Sequence, residues 1–189
     1  MSVKEDELLL ETLLLTRCLL TGETRLDESQ ATVWVTPQKG ETILFFHVDD
    51  QSNPSCSLRQ KLWGNKIGEP LCDLIVFYAK GDERVFCFVE LKDNLKDVGK
   101  ATEQLINTYQ HVKQHFKSKY TAKACIVAAG GSPLQEHHKY HDKLLKIFKQ
   151  PNNIIILQGK NVTSKEDRFG DFLRGIQKKP NKGKRTNKR

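Results

Sequence analysis

The sequence predicts an α/β (α+β) domain in which helices flank a central mixed β-sheet. Two strongly apolar runs, Leu71 to Ala79 and Arg84 to Lys92, surround the turn-forming Gly81-Asp82 and read as a hairpin. Apolar residues then recur at three- and four-residue intervals from Asp97 to Lys117, as on an amphipathic helix. Finally, Ala122 to Ala129 is a short continuous apolar run between helical stretches, the pattern of a strand covered on both faces.

In chain order, the first twenty residues read as a helix whose leucines cover more than one face, closed by Thr21 and Gly22. Ala31 to Thr36 and Thr42 to Val48 are β-rich runs around Pro37-Gln38-Lys39-Gly40 and resemble a further hairpin. Residues 49 to 60 read as a loop. The central hairpin follows, then the helix built on Val98, Ala101, Leu105, Tyr109, Val112 and Phe116. After the Ala122 to Ala129 strand, Gly130-Gly131-Ser132-Pro133 breaks the chain and Leu134 to Lys149 is helical again. Asn153 to Gln158 is a last strand, and Phe169, Phe172, Leu173 and Ile176 suit a short terminal helix.

At 189 residues the chain has room for one domain with a sizeable core. Residues 1–177 are taken as that domain and 178–189 as a flexible basic tail. The formal charge of +8 sits mostly at the end: Lys178, Lys179, Lys182, Lys184, Arg185, Lys188 and Arg189 face no acid, which leaves +1 for residues 1–177. Such a tail can hold nucleic acid by neutralising phosphates, or serve only for solubility or targeting. The five cysteines show no CxxC spacing and read as small buried hydrophobes of a reducing compartment. Glu11 and Arg17 interrupt the Leu-rich start, which is too short to span a bilayer, so a cytoplasmic protein without membrane contact is expected.

The chemistry lies in the central hairpin. With Gly81 and Asp82 as its two turn residues, paired positions sum to 163, which sets Asp73 opposite Glu90. Opposed residues share a face with Cβ atoms roughly 4.5–5.5 Å apart, and the two-residue period adds Lys92 to that face. A three-residue loop would instead bring Cys72 opposite Glu90. Two carboxylates at the end of buried strands repel and raise one another's pKa unless a cation lies between them. Oxygen ligands favour Mg²⁺, with Mn²⁺ as a substitute, over zinc. A metal held there can carry a phosphate oxygen and activate water, while a lysine stabilises charge building on phosphorus. Lys92 as a plain salt bridge to the pair is the competing structural reading.

These residues resemble the PD-(D/E)XK nuclease superfamily, also described as restriction-endonuclease-like or RecB-like, whose core runs αβββαβ. Here that core would carry an extra N-terminal hairpin strand and C-terminal elements. Gly68-Glu69-Pro70-Leu71-Cys72-Asp73 is similar to the second-strand signature and Glu90-Leu91-Lys92 to the third. Cys72 stands where the strict form has proline. The resemblance implies that Asp73, Glu90 and the Leu91 carbonyl bind metal and that Lys92 is catalytic. It further implies a catalytic role for Gln104, although Thr108 replaces the tyrosine that RecB-like members carry four residues later. Glu11 matches an occasional extra acid. The activity implied is Mg²⁺-dependent hydrolysis of phosphodiester bonds, most readily in DNA, with two copies joining where both strands are cut. The alternative is an inactive nuclease-fold module that binds nucleic acid or a protein.

One other cluster, His137, His138 and His141, lacks the glutamate of a metalloprotease helix and reads as a solvated face.

Overall fold

The computed structural model describes residues 14, 16–50, 56–64, 68–116, 118–130, 137–158 and 167–176. Strands β1 (Leu19–Leu20), β4 (Thr42–His47), β5 (Leu74–Lys80), β6 (Glu83–Asn94), β7 (Thr121–Gly130) and β8 (Ile154–Gln158) form one sheet in the order β1-β4-β5-β6-β7-β8. The β4-β5-β6 half is antiparallel and the β6-β7-β8 half is parallel. A separate hairpin joins β2 (Arg25–Glu28) to β3 (Ala31–Trp34). The helices are α1 (Ser57–Trp63), α2 (Val98–His115), α3 (His137–Phe148) and α4 (Arg168–Leu173).

The sheet is mixed because its connections are. Gly81, at φ 54°, takes the left-handed conformation of a tight two-residue turn, so β5 and β6 run antiparallel. Between β6 and β7 the chain crosses over through α2, and such a crossover returns the next strand parallel. β5 and β6 are apolar on both sides because both are covered. Ile75, Phe77, Phe86 and Phe88 meet α1, α2 and α3, with Leu105, Leu144 and Phe148 in the same core. Leu74, Val76, Val85, Cys87 and Val89 meet the β2–β3 hairpin and α4 through Val33, Phe172 and Leu173. Gly99, in the first turn of α2, lets α3 approach: a Cβ there would meet Tyr140 Oη at 2.8 Å.

Several expectations are corrected. Leu19–Leu20 is a strand paired with Phe46 and Phe45, so the helix expected over the first twenty residues does not reach its predicted end; residues 1–13 lie outside the described ones. β3 and β4 do not pair with each other. β3 finds its partner upstream in β2, and β4 pairs with β1 and β5. The region read as a loop to residue 60 contains α1, which buries Leu58, Leu62 and Trp63. The expectation of helices on both faces of a mixed sheet holds: three helices cover one face, and the six-residue α4 with the β2–β3 hairpin covers the other.

Cys18 and Cys56 form a disulfide with Cα atoms 5.8 Å apart, which corrects the reading of all five cysteines as free thiols. Cys72, Cys87 and Cys125 are free and buried. Thiol titration of the denatured, unreduced chain is therefore expected to give three groups, rising to five after reduction. Five before reduction would contradict the pairing. No described helix is long and apolar enough to cross a membrane. Residues 178–189, with the seven basic side chains assigned to nucleic-acid binding, lie outside the described residues, as does Glu11.

Candidate active site

The register of the central hairpin is the two-residue one: Lys80 pairs with Glu83 and Leu74 with Val89, so paired numbers sum to 163. Asp73 immediately precedes β5 and continues that register toward Glu90 through side chain and backbone. Its N–H donates to Glu90 Oε2 at 3.1 Å, and its own Oδ2 accepts the Leu91 N–H at 2.6 Å. The Lys92 ammonium donates to Glu90 Oε1. Asp73, Glu90 and Lys92 thus meet at one end of the sheet, with Glu90 fully buried, Asp73 nearly so and Lys92 partly exposed.

Two carboxylates that the sequence did not reveal stand at the same end. Val48 donates its N–H to the Asp73 carbonyl at 2.9 Å, so the chain leaving β4 carries Asp49 beside the site. The turn of the β2–β3 hairpin, with Ser29 at φ 51°, docks where Gln30 N–H donates to Asp93 Oδ1 at 3.0 Å, and this brings Glu28 within electrostatic reach of His47, Asp49 and Lys92. Glu28 Oε2 is buried and has no hydrogen-bond partner. Short-range strand pairing places neither residue. Only the tertiary docking of separate segments does.

Burial controls the electrostatics. It pushes the Asp73 carboxyl up to about 7, with Glu28 and Asp49 adding to the rise and the Leu91 N–H and Lys92 opposing it. Glu90 is pushed up to about 9, again by burial first and then by Asp73, against the pull of Lys92. Glu28 and Asp49 are also raised, chiefly by desolvation. Burial pulls Lys92 down, but Glu90, Asp73 and Glu28 outweigh it and its ammonium is held above the ordinary lysine value. Asp49 has Arg59 at 3.5 Å, but Asp73, Glu90 and Glu28 are balanced mainly by Lys92 and resist full ionisation, and a cation among them would relieve that cost.

The donor set fits a hard divalent ion in part. Asp73 and Glu90 offer carboxylate oxygens, and the unpartnered Oε2 of Glu28 adds a further oxygen nearby. No group of three His, Cys, Asp or Glu side chains among the described residues is tight enough to enclose an ion, so water and the ligand's own oxygens would complete the shell. His138 and His141 belong to no such group; His138 is exposed, and the His137 side chain is outside the described residues.

Gln104 lies on the α2 face that packs against the chain leading to Asp73. It is buried, and its Nε2 donates to the Leu71 carbonyl at 2.6 Å. Its Oε1 has no hydrogen-bond partner. One turn later, Thr108 Oγ1 accepts the Cys72 N–H at 2.9 Å and donates to the Gln104 carbonyl. These two side chains fix the two residues before Asp73. Thr108→Val would leave the buried Cys72 N–H without an acceptor, at a cost of about 1–2 kcal/mol. A lower urea midpoint is expected for Thr108→Val and not for Thr108→Ser, and equal midpoints would refute this role. Comparison with protein-family models, characterised proteins and solved structures yields no match, so the site is interpreted on its geometry alone.

Proposed function

We propose that this chain is a Mg²⁺-dependent nuclease of PD-(D/E)XK type that hydrolyses phosphodiester bonds in DNA, on a restriction-endonuclease-like core. The observation that carries the proposal is the buried Asp73–Glu90 pair with Lys92 bound to Glu90 at the end of a mixed sheet. The element order from β4 through α2 to β7 supports the same reading. Asp73, Glu90 and the Leu91 carbonyl would hold the metal, which when bound supplies a Lewis acid for the phosphate and lowers the pKa of water.

The chain's own residues then divide the work. Glu90 and Asp73 fix each other through the Asp73 N–H. The Leu91 N–H orients the Asp73 carboxylate. Lys92 is tethered by Glu90 and partly exposed, so its ammonium reaches solvent where a phosphate would lie and stabilises negative charge there. Gln104 and Thr108 hold the approach to Asp73 rather than the reacting atoms.

The direct test is a panel of labelled single-stranded DNA, duplex DNA and RNA incubated with Mg²⁺ or Mn²⁺. DNA cleavage that disappears with Asp73→Asn is expected; cleavage undiminished in that variant would remove the assignment. A second reading, an inactive nuclease-fold module that binds nucleic acid or a protein, is favoured by one feature: the Lys92–Glu90 ion pair already gives Glu90 a cationic partner. It requires that no substrate in the panel be cut with either metal.

A further inference from the structure

Among the described residues, positive charge is concentrated along the seam between α2 and α3. The open groove between these helices is lined by Lys96, Lys100, Lys139, Lys143 and Lys146, against Asp97, Glu103 and Asp142. A second groove continues it past Ile147 and is lined by Lys113, Lys119 and Lys149 with no acid. Eight lysines against three acids give the seam +5. The described residues together carry +2, so those outside the seam are at −3. A solvated helix face in a near-neutral body has no need of such segregation, whereas an extended polyanion does.

The shape agrees with the charge. α2 and α3 both follow strands that run toward the site and both precede strands that return to it, so the helices lie side by side in the same direction. Lys139, Lys143 and Lys146 fall at intervals of four and three and share one face of α3. Lys143 reaches across the seam to Glu103. At the site end, Lys100 is near enough to act on Asp49, which itself acts on Lys92. From Lys100 to Lys113 the helix advances about 20 Å. That is about six phosphates of one B-form strand.

We infer that the α2–α3 seam binds the phosphodiester backbone of a nucleic-acid strand and leads it to the Asp73–Glu90–Lys92 end of the sheet. The direction toward that end rests on the nuclease reading, while backbone binding on the seam does not. The positive tail beyond residue 177 is then an addition to a surface the folded body already has.

The test uses the full chain in EDTA with fluorescein-labelled 20-base-pair and 20-nucleotide DNA, followed by anisotropy across a salt series. The seam variant Lys100→Glu/Lys139→Glu/Lys146→Glu is compared with Lys39→Glu/Lys61→Glu/Arg84→Glu, which makes the same net charge change outside the seam. At low salt the seam variant is expected to bind about 100-fold more weakly, with the log–log salt slope reduced by about 3, while its melting temperature stays near that of the parent. Equal losses in the two variants, or no salt-dependent DNA binding by the parent, overturn the inference. Parent binding to phosphatidylserine vesicles in place of DNA overturns it as well. If the parent binds through the seam but cuts nothing in Mg²⁺, the seam stands and the nuclease reading falls; if cleavage persists and the seam variant binds normally, the reverse holds.

Discussion

Glu90→Gln is expected to reduce Mg²⁺-dependent cleavage by about 1000-fold while making the metal-free protein more stable at alkaline pH. The activity loss follows from removing a carboxylate that would hold the ion, an interaction on the order of 4 kcal/mol of transition-state stabilisation. The stability gain follows from burial. The Glu90 carboxyl is pushed up to about 9 in the folded chain and Asp73 up to about 7. A group whose folded pKa is raised binds its proton more tightly when folded. Its contribution is whole below the unfolded carboxyl pKa and is lost as pH rises toward the folded value.

The metal-free parent should therefore lose stability from about pH 5 to pH 9, at no more than about 1.4 kcal/mol per pH unit for each group. Glutamine removes the Glu90 share and flattens the upper part of that curve. Added Mg²⁺ should raise the parent's melting temperature most near pH 8–9, where the ion displaces the fewest protons and the buried carboxylates cost the metal-free fold most, and should raise the variant's much less. Thermal melts at pH 6, 7, 8 and 9 with and without Mg²⁺ decide the matter. Parallel pH curves for parent and variant would show that burial of Glu90 does not have this consequence.

The second large effect lies far from the site. Arg174 binds Glu41 with two hydrogen bonds, Nε to Oε1 at 2.8 Å and Nη2 to Oε2 at 2.9 Å, and also reaches Asp167 Oδ2 at 3.2 Å and the Thr36 carbonyl at 2.7 Å. Both the Glu41 and Arg174 side chains are nearly closed to solvent. Arg174→Ala leaves Glu41 buried with Lys80 at 3.6 Å as its remaining cation, beside the Tyr78 hydroxyl and the Gln38 N–H at 2.9 Å, and is expected to cost about 3 kcal/mol. The arginine's hydrogen bonds hold the Glu41 carboxyl down at about 2. Its contribution is present above the unfolded carboxyl pKa and is lost as pH falls toward 2. Urea midpoints should fall for Arg174→Ala at pH 7, with the gap to the parent narrowing below the ordinary carboxyl pKa and closing only near pH 2. A Glu41→Met/Arg174→Met double change should recover much of the loss, since the fully buried Glu41 charge goes with its partner. An unchanged midpoint in Arg174→Ala would show the contact to be solvated and weak.

The parts of the fold that were legible in the sequence are those written in short-range patterns. Gly81-Asp82 between two continuous apolar runs gave the register, and with it the meeting of Asp73, Glu90 and Lys92. The three- and four-residue recurrence from Val98 gave α2, and the run from Ala122 gave β7. What stayed hidden depends on docking. β3 was misassigned because its true turn, Ser29-Gln30, contains neither glycine nor proline and relies on a serine at positive φ. α1 is seven residues long, less than two helical turns, so its periodicity could not stand out from a loop. Glu28 lies in β2, outside the main sheet, and Asp49 in the segment after β4, and neither sequence neighbourhood points to the end of β6. Arg174 meets Glu41 across 133 residues of chain. Gln104 was located by resemblance, but its burial against Leu71 is a property of how α2 packs.

The tight turn at Gly81-Asp82 lies at the opposite end of β5 and β6 from the carboxylates. Eight residues of extended strand separate Asp82 from Glu90, about 26 Å at the usual rise. Residues 81–84 are exposed, and the turn pairs only with itself. This is where the chain can accept foreign sequence, such as an epitope, a tethering cysteine or a fluorophore, without reaching the charged end of the sheet. A reporter placed there would also sit toward the Lys113–Lys119–Lys149 end of the α2–α3 seam, where it could register the arrival of a long ligand separately from any chemistry at Asp73 and Glu90.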